Sequence, residues 1–216
     1  MKKLLVAIFA IVLLASAVQA EVLWDQSDYD AVNMLGFWNS VSGCAPFGGT
    51  IHYANDVQIF DEVTITSIST YYTPFNFDTA SATQAYLYIG EKTGSIPVDG
   101  VDLPQENGSL IDITVTTDAN GVFVITASGL SESLLPGEYW VSLTPILPGG
   151  MWGPDFNISS LTPWGDPSAF YEYCGMFAPA WGPSFDSLDG SILIEGTVDV
   201  VPTQATSLDG LKALYR

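Results

Sequence analysis

Residues 21–201 are predicted to form one all-β domain, an antiparallel β-sandwich of jelly-roll type. Three observations predict it. Side-chain polarity alternates with period two almost everywhere, runs rich in Val, Ile, Thr and Tyr recur at short spacing, and clusters of Gly, Pro, Asn and Asp punctuate them. In chain order, a short strand is expected at 22–24, another at 51–53, and longer ones at 57–60 and 63–72. Over 84–91, Ala85, Leu87 and Ile89 are expected to face inward, with Tyr86 and Tyr88 facing outward or lying between sheets. Gly94-Ser95-Ile96-Pro97 and Asn107-Gly108 then mark turns. Strands at 110–116 and 121–128 flank Asp118-Ala119-Asn120-Gly121, the signature of a tight hairpin. Leu135-Pro136-Gly137 turns the chain into a strand at 138–146, and the last strands are expected at 169–173 and 191–201.

The first twenty residues have the form of a secretory signal peptide. Lys2-Lys3 supplies the positive start, Leu4 to Leu14 the apolar run, and Val18-Gln19-Ala20 the small residues before a cleavage site. An exported, extracellular or cell-surface location follows, with the periplasm as the other compartment. Residues 21–216 then carry three basic residues against 24 acidic ones, a net charge of −21, and Lys92 is the only Lys or Arg between Glu21 and Pro202. Such a surface repels phosphate backbones and anionic headgroups, which argues against nucleic acid and membrane-surface partners. No apolar stretch after residue 20 is long enough to span a bilayer. The two cysteines, Cys44 and Cys174, are expected to pair in an oxidising compartment. That bridge would secure the long Pro-, Gly- and Trp-rich region between Leu147 and Gly190.

Within that region Trp152-Gly153-Pro154-Asp155, Trp164-Gly165-Asp166 and Trp181-Gly182-Pro183 repeat a short element. Indole faces beside carboxylates suit sugar recognition, so Trp152, Asp155, Trp164, Asp166 and Trp181 are candidate ligand-binding residues. The competing expectation is that the rings fill space between loop and sheet. Asp25, Asp28 and Asp30 are candidates for a structural calcium, which takes hard oxygen ligands, but no complete calcium-loop motif is present. The alternative is solvated surface carboxylate. No other cofactor is expected. His52 is the sole histidine, which excludes multi-histidine metal centres. Its ring is expected at the surface of a strand or hydrogen-bonded to a neighbour. Asn107-Gly108-Ser109 and Asn157-Ile158-Ser159 are formal glycosylation sequons. No catalytic residues are assigned, although a two-carboxylate glycosidase would need no histidine.

Three segments stand out: Thr64-Ile65-Thr66-Ser67-Ile68-Ser69-Thr70-Tyr71-Tyr72, Leu135-Pro136-Gly137-Glu138-Tyr139-Trp140-Val141-Ser142-Leu143 and Asp189-Gly190-Ser191-Ile192-Leu193-Ile194-Glu195-Gly196. They resemble strands of a secreted bacterial β-sandwich domain found in surface proteins with a PEP-CTERM or related choice-of-anchor tail. The resemblance spans roughly residues 22–198 and implies a cell-surface or matrix role with no activity to carry over. The chain departs from that pattern in having Val63 where a Trp usually leads the first segment, and in lacking the anchor tag. After a linker from Pro202, residues Thr206 to Arg216 read instead as a short helix with Leu208, Leu211, Leu214 and Tyr215 on one stripe. Residues 202–216 are thus a linker and a tail with the makings of a sorting or docking segment.

The leading functional expectation is a non-enzymatic exported protein with a structural or binding role. A carbohydrate-binding module using the loop tryptophans comes second, and a jelly-roll carbohydrate-active enzyme third. The corresponding partners are an extracellular polysaccharide or a surface protein; self-association stays open.

Overall fold

The structure is a computed structural model that describes residues 20–32, 34, 36–38, 40–41, 50–74, 79–99, 101–147, 156–173, 180–183 and 189–199. Residues 1–19 of the leader, the tail over 202–216 with its expected helix, Cys44, Cys174, Trp152 and Asp155 lie outside the described residues.

The described residues form fourteen strands: β1 (Glu21–Gln26), β2 (Gly36–Trp38), β3 (Ser40–Val41), β4 (Thr50–Ile59), β5 (Val63–Tyr72), β6 (Gln84–Glu91), β7 (Ser109–Asp112), β8 (Thr114–Thr117), β9 (Phe123–Leu134), β10 (Gly137–Pro145), β11 (Phe156–Ile158), β12 (Ala169–Tyr173), β13 (Trp181–Pro183) and β14 (Ile192–Val198). A single helical turn, α1 (Pro104–Asn107), precedes β7. All the strand pairs are antiparallel and fall into two sheets. In the first, β5 lies between β14 and β9, with β1 beyond β14 and β8 beyond β9; β11 and β2 extend it past Tyr72. The second runs β13-β12-β4-β10-β6-β7, with β3 added to β4. The fold is all-β, as predicted.

One core joins the sheets. Ile65, Ile68, Ile125, Ile192 and Ile194 come from the first sheet; Val57, Ile59, Ala85, Leu87, Val141 and Leu143 come from the second. Alternation shows plainly in β5, β9 and β14, where every second residue over much of the strand leaves water, at roughly 1.5–3 kcal/mol for each large aliphatic side chain.

Three expectations change in detail. The strands expected at 51–53 and 57–60 are one ten-residue strand, β4. The strand expected at 110–116 is two: β7 pairs with β6 in the second sheet, while β8 pairs with β9 in the first. Ile113, buried between them, carries the chain from one sheet to the other and donates its N–H to the Thr83 carbonyl at 2.9 Å. A crossing between sheets leaves the alternation intact, so sequence pattern alone reads it as one strand. The expected hairpin is present but tightened by Asp118, whose Oδ1 accepts the N–H groups of Asn120 and Val122 at 2.8 and 3.0 Å. Gly121, at φ +83°, supplies the left-handed residue the turn needs. Finally, the region between Leu147 and Gly190 contains β11, β12 and β13, which insert into both sheets.

Candidate functional site

The second sheet is covered on both faces, and its outer face holds the most concentrated chemistry in the described chain. Val57 and Ile59 of β4 point into the shared core; Ala54, one register step away, belongs to a second, smaller core with Tyr88, Leu103, Trp140, Ala169 and Trp181. By alternation His52 and Asp56 share the Ala54 face. Trp140 stands directly between Asp56 on β4 and Gly90 on β6. Tyr88, expected to face outward or lie between the sheets, is buried against the second core.

Lys92 sits one residue beyond β6, and its N–H donates to the Glu138 carbonyl at 2.8 Å. Its ammonium lies 5.1 Å from the centroid of the Trp140 ring, a cation–π arrangement. It ends 2.8 Å from Asp56 Oδ2, 3.0 Å from Asp166 Oδ2 and 3.5 Å from Glu138 Oε2. The Lys92 side chain is 7% exposed and that of Asp56 is fully buried. Burial raises the Asp56 pKa, and the opposing pull of Lys92 and of the Asp166 N–H, 2.9 Å from Oδ2, does not cancel it. For Lys92, burial disfavours the charge, but Asp56 and Asp166 outweigh it and hold the pKa above the usual lysine value. Gly165, at φ +71°, makes this closure feasible, since a Cβ there would overlap Asp56 Oδ2.

A second buried carboxylate, Asp189, fastens the same loop from the other side. Its Oδ2 accepts the Trp164 N–H at 2.6 Å and Gln26 Nε2 at 3.1 Å; its Oδ1 accepts the N–H and hydroxyl of Ser168 at 3.0 and 3.2 Å. Burial raises its pKa against these donors. Asn55 completes the junction, its Oδ1 accepting from Ser168 Oγ and Gly190 N, both at 2.9 Å. The 164–168 loop therefore hangs on side-chain acceptors where a sheet would offer carbonyls, which is what a buried irregular backbone requires.

His52 is 1% exposed and its Nδ1 lies 3.0 Å from Thr144 Oγ1, so of the two expected placements the hydrogen-bonded one holds. Burial lowers its pKa to about 3, with Gln105 opposing weakly. Nearby, the Tyr88 hydroxyl donates to Asp102 Oδ1, and Asp102 Oδ2 accepts the Val98 N–H at 2.5 Å. Burial, then Asp102, pushes the Tyr88 phenol upward.

Among the described residues, those predicted from sequence as sites are not assembled together. Trp181 lies in β13 at 5% exposure, packed in the second core, so its indole offers no stacking face. Trp164 is half-buried and meets Trp24 edge-to-face at 5.0 Å. Asp166 spends its carboxylate on Lys92. Asp25, Asp28 and Asp30 each serve local donors. Asp25 Oδ1 accepts Ser27 N at 2.9 Å, Asp30 Oδ1 accepts Val32 N at 2.8 Å, and Asp28 Oδ1 accepts the hydroxyls of Ser160 and Thr162 at 2.6 and 2.8 Å. Burial raises the Asp28 pKa, but those donors outweigh it and the net shift is downward. Among the described residues no three His, Cys, Asp or Glu side chains are grouped to hold a metal ion. The Asn157 sequon is buried, with Asn157 at 1% exposure, whereas Asn107 is exposed.

Asp56, Asp189 and the placement of Lys92 were not singled out by sequence reasoning. One signal was present: a chain that keeps a single Lys or Arg among 23 carboxylates over residues 21–201 has a use for it.

Among the described residues no helix is long and apolar enough to cross a membrane. Two shallow grooves open elsewhere. One of about 200 Å³ lies beside Leu87, Ile89, Asn107 and Glu132, and one of about 170 Å³ beside Val22, Phe60, Asp61 and Val198. Comparison with protein-family models, with curated proteins and with solved structures finds no match to this chain.

Proposed function

We propose that this protein is an exported, non-enzymatic β-sandwich with a structural or binding role at the cell surface or in the extracellular matrix. The observation that carries the reading is how its buried titratable groups are used. Asp56, Lys92 and Asp189 fasten the 164–168 loop to the sheet, and His52 is hydrogen-bonded to Thr144 on the neighbouring strand. A protein built this way invests its chemistry in resisting unfolding and proteolysis, as a module outside the cell must. The acidic body, with 23 carboxylates over residues 21–201, keeps such a module soluble and disposed toward basic partners. The test is antibody labelling of intact, unpermeabilised cells of the source organism together with the surrounding matrix. Labelling there is expected; signal confined to the interior of permeabilised cells contradicts the proposal.

A second reading, polysaccharide contact, draws on one specific feature. Trp24 and Trp164 form a half-buried aromatic pair; of the expected platform, Trp181 is packed in the second core and Trp152 lies outside the described residues. Tryptophan-fluorescence titration with a panel of polysaccharides, using wild type and Trp164→Ala, checks it. Saturable quenching lost in the variant supports sugar contact; no quenching in folded wild type removes it.

A further inference from the structure

Lys92 is an anomalous residue. It is the single cation of the body, yet it is withdrawn from an acidic surface that would have welcomed it and placed against the fully buried Asp56. Burying both ions is costly, and an ion pair repays that cost only when every remaining lone pair is satisfied. Here that condition fails. Asp56 Oδ2 has Lys92 Nζ at 2.8 Å and the Asp166 N–H at 2.9 Å, whereas Asp56 Oδ1 is shut off from solvent with no hydrogen-bond partner among the described residues. A carboxylate needs partners on both oxygens; an amide carbonyl in the same place has only one oxygen to satisfy.

We propose that Lys92 Nζ and Asp56 Cγ become joined by an isopeptide bond after folding, tying β6 to β4 across the intervening β10. The groups for the step are in place. Asp166 Oδ2, 3.0 Å from Nζ, is placed to take a proton from the ammonium; delivered to Asp56 Oδ1, that proton leaves a neutral amine beside a neutral acid. The amine lone pair attacks Cγ while the Asp166 N–H polarises the bond to Oδ2. A second proton passes from nitrogen to Oδ1, and the C–Oδ1 bond breaks to release water. One C–N bond forms, one C–O bond breaks, one water leaves, and Asp166 ends as it began. No oxidant or reductant is involved. Burial favours the neutral form of Asp56, the amine is nearly buried against the Trp140 ring with Asp166 at hand to draw off the proton that its carboxylate partners otherwise hold there, and the fixed contact replaces a bimolecular encounter with one at very high effective concentration. In the product, Oδ2 retains the Asp166 N–H as its donor, the orphaned Oδ1 is gone, and the new amide N–H has the Asp166 carboxylate at hand. The inference rests on this geometry alone and is independent of where the protein resides.

The test is intact-mass measurement on the wild-type full-length gene product, as processed by the cell, reduced and fully denatured. Its mass is expected to fall one water below that required by its sequence and its determined N-terminus. Trypsin in denaturant is expected to leave the Lys92–Thr93 bond uncut, because an acylated lysine is no substrate. Lys92→Met and Asp56→Ala are expected at their own sequence masses, though the wild-type result alone decides the matter if these variants do not fold. A wild-type protein at full sequence mass and cut after Lys92 overturns the proposal. So does a water loss that leaves Lys92 cleavable, the mark of an aspartyl succinimide elsewhere. Asp166→Asn, shown to be folded by circular dichroism, is expected at full mass; cross-linking undiminished in that variant overturns the proton relay assigned to Asp166.

Discussion

The two sheets share one core but treat their outer faces in opposite ways. On the first sheet the residues facing away from the core are Thr, Ser and Glu in partial contact with water, such as Thr64, Thr66, Ser67, Glu132 and Glu195, held by short bonds like Ser67 Oγ to Glu195 at 2.7 Å. On the second sheet that face is roofed by residues 96–99, 101–107, 160–173 and 180–183, and beneath the roof lie Trp140, Tyr88, His52, Asp56 and Lys92. The first face is interchangeable surface. The second is a small polar core, where each group has a fixed partner and losing one strands another.

That contrast yields predictions that can break it, taken from the largest effect down. Asp56→Ala leaves Lys92 buried without its main partner and is expected to cost about 3–5 kcal/mol in denaturant unfolding. An equal cost for Glu195→Ala on the first sheet would erase the distinction between the faces. Gly165→Ala is expected to cost about 1–3 kcal/mol, since it adds left-handed strain and a Cβ against Asp56. Gly121→Ala, at φ +83° with nothing within 4 Å, carries the backbone strain alone and should cost less.

Acid should act through the second sheet as well. His52 takes a proton near 6.5 when unfolded but only near 3 when folded, so the unfolded state binds more protons across that window. Stability is therefore complete above pH 6.5 and falls with acidification below it, by about 1.4 kcal/mol per pH unit from this group. Asp56 and Asp189, whose pKa values burial raises above the ordinary 3.8, act in the opposite direction just above that value. Asp28 and Asp118, held below it, add to the acid loss beneath it. Unfolding free energy measured from pH 7 to 4 should show this slope in wild type and a flatter one in His52→Gln. The smallest effect is expected for Ser67→Ala on the first sheet's outer face, within about 0.5 kcal/mol of wild type.

The same contrast explains how far the sequence could be read. Strands β5, β6 and β12 fall at the predicted 63–72, 84–91 and 169–173, because alternation against a single core writes their bounds directly into polarity. The sequence left Tyr88 open: on a strand buried on both faces, an outward aromatic looks the same as one packed under a roof. The Lys92–Asp56 contact was hidden for a different reason. It joins residues 36 apart in sequence across a third strand, β10, that arrives from still further along the chain. The loop tryptophans were visible, but composition cannot tell a ring that fills a core, as Trp181 does, from one that meets solvent. Asp25, Asp28 and Asp30 were visible too, and their clustering in sequence concealed three separate local duties.

The central claim is that buried carboxylates hold an irregular loop as firmly as strands are held. It is tested most directly by amide hydrogen exchange of Trp164, Asp166 and Ser168, whose N–H groups donate to Asp189, Asp56 and Asp189 respectively. The account predicts protection in these three amides close to that of Ile65 and Ile68 in β5. Exchange at the rate of an open loop, with β5 still protected, would contradict it.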